Sequence, residues 1–442
     1  MGEINLKRNI LVTGGFRIAI MLVIFITSWI STRFLGATLK GQYSYLITLV
    51  GFIWLVLDLG IHKTYPYLLR KEPEQAGNLF TWAFLLFLGE VVLLGILGTL
   101  FLPQWSKLLG YEFNLLSIWL LIGLIALNHI FNLMQMFYLG LDRIKENSLG
   151  QFFNQVIMLI LVLVAVVFAR ELNRLQYILI ASNLTMLIVV MGYGWNYLRS
   201  GIPKALSPMK MISYYPMGFR VFLSSLFITL LLRADVVIIK QIMGYQSVGI
   251  YSLAAHMVDM MQLASNVVGG LLLVKLADTE DEIKRWVLMK QVFILFVMLL
   301  GAANLAFVVL GSPLITIFYG KEFSATYNAY LWLIPASFGL SLGSLFNTYL
   351  WSKGFPMISV ILPFLALLSN IILNYLLIPV MGIAGAGLAS SISYCLWFIL
   401  IVIYEQKLSG NRMLKYMMPK AEDIVMVWDT MSQFLKGLIR KI

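Results

Sequence analysis

Two arginines stand inside apolar stretches of the chain, where a permanent charge is unusual. Arg17 and Arg220 each end a Gly-Phe-Arg motif near the start of a long apolar run. A guanidinium group stays charged and can bind two oxygens of a phosphate at once. The alternative is that each side chain extends back to the lipid headgroups. Because the two motifs occupy matching positions in two halves of the chain, we expect both arginines to have a functional role.

Carboxylates inside a membrane are costly, and they often couple transport to an ion or a proton. Four acidic residues in or near apolar spans are therefore candidates for ion coupling: Asp58, Glu90, Asp235 and Asp259. Simpler interpretations remain open. Glu90 would be a neutral, hydrogen-bonded acid. Asp235 would pair with Arg233, two residues earlier. Asp58 would cap its helix or pair with Lys63.

The three histidines do not have the sequence setting of an acyltransferase site. None of His62, His129 and His256 has a polar partner on a re-entrant segment, which such an enzyme needs. His256 lies close to Asp259 in the sequence, and for it a hydrogen bond within the helix bundle is a simpler interpretation than a proton relay. The single cysteine, Cys395, cannot form an internal disulfide, and no cluster has the spacing of metal ligands. We therefore expect neither a metal nor a cofactor.

Neutral polar side chains form stripes at helical spacing. Asn128, Asn132 and Gln135 fall on one face of the fourth predicted helix, and Gln151 and Asn154 share a face of the fifth. Such amides can line a path for a polar, uncharged solute such as a glycan. They can also bond packed helices to one another, which is common in membrane proteins.

The composition places these residues in a membrane. Of 442 residues 60% are hydrophobic and only 12% are charged, and the mean hydropathy is +0.88. Soluble domains carry about 25% charged residues. The net charge of +12 fits basic loops that face anionic lipid rather than a nucleic-acid partner. The composition thus indicates an all-α, polytopic membrane protein.

Apolar runs of about 20 residues predict about twelve transmembrane helices. The approximate spans are 10–32, 43–66, 79–102, 114–139, 149–169, 175–198, 212–240, 248–276, 286–310, 326–351, 357–379 and 384–404. Lysines and arginines concentrate in the loops of one side, which predicts that both termini are cytoplasmic. The loops are too short for a hidden soluble domain.

The chain repeats itself. The pattern G-x-x-x-x-G-x-Y-S begins at Gly36 and again at Gly244, and G-x-E-F occurs at residues 110–113 and 320–323. This repeat predicts two pseudo-symmetric six-helix bundles around a central cavity. The expected domains are residues 1–205 and 206–406, followed by a cytoplasmic tail at 407–442 whose apolar residues have helical spacing.

Several motifs in order resemble the oligosaccharide (O-antigen) flippases of the multidrug/oligosaccharidyl-lipid/polysaccharide exporter superfamily. The resemblance covers nearly the whole chain. It rests on residues 33–36 with 41–43, 57–61, Asp235 before 243–244 and 248–251, 318–323, and 382–389.

The resemblance implies that the protein moves an undecaprenyl-diphosphate-linked oligosaccharide from the inner to the outer leaflet of a prokaryotic plasma membrane. Arg17 and Arg220 would bind the diphosphate, and the amide stripes would line the path of the glycan. Coupling to an ion gradient or to the membrane potential is also implied. A polysaccharide polymerase and a chain-length regulator are the expected protein partners.

Two other functions compete with this interpretation. An ion-coupled exporter of organic cations in the same superfamily would favour an acidic, aromatic cavity, which two arginines oppose. A membrane enzyme would need an acidic or large external loop, or a nucleotide-binding loop of the G-x-x-x-x-G-K-[ST] type, and the sequence contains neither. We expect a protein that is not an enzyme.

Overall fold

The computed structural model describes residues 2–169, 174–202, 207–279, 281–352, 356–410 and 412–423. Within these ranges, the side chains of residues 2–18, 208–217, 220, 263–271, 273–275 and 277–278 lie outside the description. The described part is helical and contains no β-strand.

The helices follow one another along the chain with short connections. Their bounds are α1 Gly2–Asp58, α2 Ile61–Lys71, α3 Ala76–Leu100, α4 Leu102–Leu109, α5 Leu115–Gly140, α6 Ile144–Phe168, α7 Arg174–Arg199, α8 Pro208–Met243, α9 Tyr245–Asp278, α10 Glu282–Tyr319, α11 Ala325–Ser352, α12 Ile358–Met381, α13 Ile383–Leu408 and α14 Met413–Met417. Each predicted span overlaps one of the long helices. The first span, 10–32, lies within α1, and the second, 43–66, runs from α1 across the break after Asp58 into α2.

The first helix bends in its middle. Gly36 has φ 72° and ψ 172°, a conformation outside the helical region that glycine adopts without steric cost. The residues before and after it form two arms, which correspond to the first two predicted spans. A second break follows Asp58, where Leu59 and Gly60 have φ values of 48° and 81° before α2 begins.

Ten segments of the described residues are long and apolar enough to cross a membrane. The first of them, Ala19–Asp58, holds both arms of α1. Large apolar side chains are exposed along these helices, Val167 and Val380 among them. In water such surfaces would be unfavourable, whereas lipid chains cover them. The predicted all-α, multi-pass membrane class is confirmed.

The structure divides into two compact units. One comprises residues 1–230 and 244–249, and the other comprises 231–243 and 250–442. The predicted domain boundary at residues 205 and 206 stays a prediction.

Aromatic packing fixes α2 in the first unit. Tyr65 on α2 is fully buried among residues of α3, α5 and α7. Phe80 stacks on Tyr197 with ring centroids 3.5 Å apart, and Tyr138 stacks on Tyr193 at 5.0 Å. Stacked aromatic pairs stabilise beyond the burial of their area. Tyr65 thereby anchors α2 in this aromatic core of the first unit.

Small residues bring α11 and α13 together in the second unit. A Cβ on Gly339 would lie 2.6 Å from the Cys395 backbone nitrogen, and one on Gly387 would lie 2.8 Å from the Ala329 carbonyl oxygen. Close approach of backbones through small residues is a usual way of packing helices in membranes.

The repeated motifs have matching conformations. Gly36 and Gly244, the first glycines of the two G-x-x-x-x-G motifs, both have positive φ. In the two G-x-E-F motifs, Gly110 and Gly320 also have positive φ and end α4 and α10. The repeat inferred from the sequence therefore extends to the backbone.

The segment after α13 packs back on α10. Tyr416 of α14 stacks on Trp286 with ring centroids 5.7 Å apart. Lys290 Nζ lies 2.8 Å from Asp423, and this hydrogen bond holds the pKa of the Asp423 carboxyl below its usual value. The predicted tail helix continues beyond this point, and its residues 424–442 lie outside the described residues.

Candidate functional site

The two arginines predicted to bind phosphate lie on α1 and α8. The side chains of Arg17 and Arg220 are outside the described residues, so their role stays a prediction. The chain beside Arg220 is described: a Cβ on Gly60 would lie 2.4 Å from the Gly218 carbonyl oxygen. The beginning of α8 thus packs directly against the break between α1 and α2.

A buried cluster of acids and histidines lies at that break. Asp58 is fully buried, and its Oδ2 lies 2.5 Å from Nδ1 of His62. Its Oδ1 accepts the backbone N–H of His62 at 3.1 Å and lies 3.0 Å from Nε2 of His129. The carboxylate therefore ties the end of α1 to the first turn of α2 and to the middle of α5.

Glu90 extends the cluster to α3. Its Oε1 lies 2.5 Å from Nδ1 of His129, so both ring nitrogens of this histidine contact a carboxylate. The Trp54 ring lies beside both imidazoles, with centroids 5.4 Å from His62 and 6.1 Å from His129. We call Asp58, His62, Glu90 and His129 the acid–histidine cluster.

The structure gives His62 and His129 acidic partners, which their sequence setting does not indicate. Asp58 contacts both histidines, and Lys63 Nζ donates to Ser225 Oγ at 2.6 Å. Asp58 and His62 are four residues apart on consecutive helices, but His129 is 71 residues away from Asp58, and sequence spacing gives no signal for so distant a contact.

The second unit has its own buried carboxylate, Asp235 on α8. Its Oδ1 accepts the backbone N–H of Val236 at 2.7 Å, and its Oδ2 accepts the Tyr251 hydroxyl at 2.5 Å. Ser390 Oγ lies 3.4 Å from the same Oδ2. Arg233 does not pair with Asp235; its Nη2 donates to Asp259 Oδ2 at 2.7 Å.

Amides surround the Asp235 group. Asn370 is fully buried and donates to Ser390 Oγ at 3.5 Å. Asn374, one turn later on α12, donates to the Asn370 carbonyl and side-chain oxygens at 2.9 Å each. The Asn374 Oδ1 is buried without a hydrogen-bond partner among the described residues. This group, Asp235, Tyr251, Ser390, Asn370 and Asn374, is the Asp235 network.

The repeat places one contact of this network in both units. The Tyr251 hydroxyl lies 3.3 Å from Ser390 Oγ, and the Tyr43 hydroxyl lies 3.3 Å from Ser182 Oγ. Both pairs join residues 139 positions apart. The acid belongs to one copy only: Asp235 precedes Tyr251 by 16 residues, and the residue at that distance before Tyr43 is Thr27.

The predicted glycan-lining amides lie on the less buried side of α5 and on α6. Asn132 Nδ2 donates to the Asn128 side-chain oxygen at 2.6 Å within α5. Gln151 Nε2 donates to Gln135 Oε1 at 3.3 Å, which links α6 to α5. The Asn154 Oδ1 is buried without a partner among the described residues.

Among the residues that the structure describes, no group of three or more His, Cys, Asp or Glu side chains has the arrangement of a metal site. The site-forming contacts in both units are hydrogen bonds.

The fold is similar to solved transporters of one superfamily. A lipid II flippase MurJ in an inward closed conformation matches with a TM-score of 0.65 and 14% identity, over 95% of this chain and 91% of that chain. An inward-facing multidrug resistance MATE transporter of the MOP superfamily matches with a TM-score of 0.67 and 13% identity, over 91% and 99%. At these identities the likeness shows a shared fold.

A third solved structure is a MOP superfamily transporter from Pyrococcus furiosus, described as having a binding pocket of reverse polarity. It matches with a TM-score of 0.65 and 13% identity, over 92% of this chain and 96% of that chain. These three solved relatives are transporters or flippases, and none is described as an enzyme.

The sequence also matches a protein family directly. No curated protein sequence matches the chain. The family of polysaccharide biosynthesis proteins matches residues 6–274, which is more than half of the chain and includes the whole acid–histidine cluster as well as Asp235. The chain is therefore a multi-pass membrane protein that belongs to the polysaccharide biosynthesis protein family.

Proposed function

We propose that the protein is a flippase for an undecaprenyl-diphosphate-linked oligosaccharide. It moves this lipid from the inner to the outer leaflet of the plasma (inner) membrane by alternating access, for the synthesis of surface polysaccharide such as O-antigen. Both termini are cytoplasmic. A polysaccharide polymerase and a chain-length regulator act with it, and the protein itself does no bond chemistry.

One observation about α5 carries the proposal. From Leu124 to Tyr138, every side chain of this helix is buried except those of Asn128, Asn132, Gln135 and Met136. Three of the four are neutral amides on one face. A glycan needs hydrogen-bond partners along its path because an unsatisfied polar group in the membrane costs several kcal/mol. An open stripe of uncharged amides supplies them without attracting ions.

The two arginines supply the other half of the recognition. A diphosphate carries a charge that hydrocarbon does not tolerate, and a guanidinium group pairs with its oxygens in a bidentate manner. In the proposal, Arg17 and Arg220 hold the diphosphate while the lipid tail stays in the bilayer.

The test uses proteoliposomes that contain a fluorescent undecaprenyl-diphosphate oligosaccharide. Flipping exposes the label to a membrane-impermeant quencher. Arg17→Ala and Arg220→Ala should each abolish flipping, and the lysine variants should recover part of it, since charge survives but the planar fork does not. Arg199→Ala is the control, because Arg199 lies at the end of α7 over the Trp195 ring. Normal flipping by both alanine variants would overturn the phosphate role.

The alternative is export of organic cations, which the fold of MATE transporters permits. Such a site needs carboxylates that are free to pair with the substrate. Asp58, Asp235 and Asp259 each already have cationic or hydrogen-bond-donating partners. Glu90 contacts His129, which also contacts Asp58. Efflux of ethidium from the same proteoliposomes, with no flipping of the labelled lipid, would favour the alternative.

A further inference from the structure

The acid–histidine cluster contains more side-chain hydrogen bonds than there are hydrogens on two neutral histidines to form them. Three contacts join its side chains: His62 to Asp58 at 2.5 Å, His129 to Asp58 at 3.0 Å, and His129 to Glu90 at 2.5 Å. Each contact needs one hydrogen. A neutral imidazole has one N–H, and an ionised carboxylate has none. Two neutral histidines therefore fill two of the three contacts.

The position of the missing hydrogen follows from Asp58. This carboxylate accepts the backbone N–H of His62 as well as contacts from both imidazoles, a set of donors that favours its ionised form. The hydrogens of those contacts thus lie on His62 Nδ1 and on His129 Nε2. The one N–H of a neutral His129 is then used, and the contact with Glu90 requires an additional proton.

We propose that one dissociable proton is held between His129 Nδ1 and Glu90 Oε1, and that this is the proton-binding site through which transport is coupled. The coupling rests on the proposed function, whereas the proton site itself does not. Of the two candidates for ion coupling in the first unit, Asp58 and Glu90, we thus assign the dissociable proton to the contact of Glu90 with His129. His129 gains a role that its sequence setting does not indicate.

The second oxygen of Glu90 supports this assignment. Glu90 is 7% exposed, and its Oε2 is buried without a hydrogen-bond partner among the described residues. A doubly charged site would leave a bare anionic oxygen in an apolar setting, which is costly. A shared proton on the opposite oxygen lowers that charge.

Among the side chains that the structure describes, the surroundings of the cluster contain one further charge; the side chain of Arg220 on α8 lies outside the description. Lys63 follows His62 on α2, and its charge acts on both Asp58 and His62. From α1 the facing groups are Asp58 and the uncharged Trp54, from α3 Glu90, and from α5 His129 itself. The described parts of α6 and α7 contribute no hydrogen bond or ion pair to the cluster.

The proton controls a contact between helices. If it leaves for water, the lone pair of Nδ1 faces a carboxylate oxygen at 2.5 Å, an arrangement that repels. Glu90 and His129 must then separate, and α3 moves relative to α5. His129 also contacts Asp58, which binds the first turn of α2 across the break at Leu59 and Gly60. Loss of the proton therefore loosens the junction of three helices.

A sodium ion is the competing ligand, and the distances disfavour it. At 2.5 Å between His129 Nδ1 and Glu90 Oε1 a hydrogen fits, but a metal ion does not.

The Asp235 network differs from the cluster, because its tyrosine, serine and backbone donors carry their own hydrogens.

Proton binding can be measured without any substrate. Infrared difference spectra of the reconstituted protein, taken across about pH 5 to 9, should contain a carboxylic acid or imidazolium band that titrates. Glu90→Gln and His129→Asn should each remove it. The matched control is Glu74→Gln, which changes an exposed glutamate and should leave the band unchanged. Nitrogen-15 spectra of histidine-labelled wild-type protein report the same proton without any substitution.

Transport provides the second readout. In proteoliposomes, an imposed pH gradient should change the flipping rate of the wild type, whereas the rate of Glu90→Gln should be the same with and without the gradient. No titrating band and two neutral histidines in the wild type would overturn the proton site. A band that responds to sodium instead of pH would also overturn it. Flipping that ignores the pH gradient, with the band present, would overturn the coupling while the flippase function stands.

Discussion

Gly41 and Gly249 lie backbone to backbone where α1 crosses α9. A Cβ on Gly41 would lie 1.7 Å from the Tyr245 carbonyl oxygen, and one on Gly249 would lie 1.9 Å from the Ala37 carbonyl oxygen. The two glycines hold the same position in the two copies of the G-x-x-x-x-G motif. The two copies of the motif are therefore in direct contact at this crossing.

Alanine at either glycine should force the crossing apart. Overpacking of this kind costs about 1–3 kcal/mol. Gly41→Ala and Gly249→Ala should both lower the unfolding temperature in detergent, measured by the loss of monodisperse protein after heating. Gly51→Ala is the control on the same helix, since its Cβ would meet nothing within 4 Å. Equal unfolding temperatures for Gly41→Ala and Gly51→Ala would contradict the crossing.

The two tyrosine–serine pairs allow a matched comparison. Tyr251 donates to the Asp235 carboxylate, and hydrogen bonds to charged groups contribute about 1.5–3 kcal/mol. Tyr43 bonds Ser182, a neutral partner, and such bonds contribute about 0.5–1.5 kcal/mol. Tyr251→Phe should therefore destabilise the protein more than Tyr43→Phe, as measured by chemical unfolding in detergent. The reverse order would show that Asp235 is not charged.

The pair of Arg233 and Asp259 should behave as a unit. Either Arg233→Ala or Asp259→Ala leaves one charge without its partner on a half-buried surface, where side-chain exposures are 35% and 26%. We expect each single variant to lose more stability than the double variant, because the double variant removes both charges. A double-mutant cycle measures the coupling. Simple additivity of the two losses would contradict a direct ion pair.

The amide stripe should affect transport more than stability. Asn128→Ala, Asn132→Ala and Gln135→Ala change half-buried side chains and should slow flipping of the labelled lipid while the unfolding temperature stays near that of the wild type. Asn370→Ala is the contrasting control: this side chain is fully buried in the Asp235 network, so stability should fall. If the stripe variants unfold early and flip normally, the amides only bond helices.

The fold could be predicted because its signal is local. Each span is a continuous apolar run, so the run alone indicates a helix. The ends were less certain, since the helices continue beyond the hydrocarbon: α10 is Glu282–Tyr319, whereas the predicted span was 286–310. The short helices α2 and α4 were not recognised as separate elements, because they begin at breaks that depend on positive φ at Gly60 and on the end of α3.

The site was only partly predictable because its contacts join distant residues. The sequence makes Glu90 a candidate for ion coupling or, alternatively, a neutral hydrogen-bonded acid, but its partner His129 is 39 residues away, and nothing in the spacing connects them. Asp235 stays a candidate for ion coupling, and its tyrosine and serine partners lie 16 and 155 residues away. The sequence indicates which polar groups are costly in a membrane, whereas only the packing of the helices shows which hydrogen-bond partners compensate that cost.

The pairing of Tyr43 with Ser182 and of Tyr251 with Ser390 bears on the history of the molecule. Duplication of an ancestral half-length chain would leave the same tyrosine–serine hydrogen bond in both halves. The neighbours then diverged: Asn370 stands 20 residues before Ser390, and the position 20 residues before Ser182 is a valine, Val162. The two halves now have different buried polar groups: the acid–histidine cluster in the first unit and the Asp235 network in the second. A protein built from two copies of one half would therefore lack the polar group of the other half.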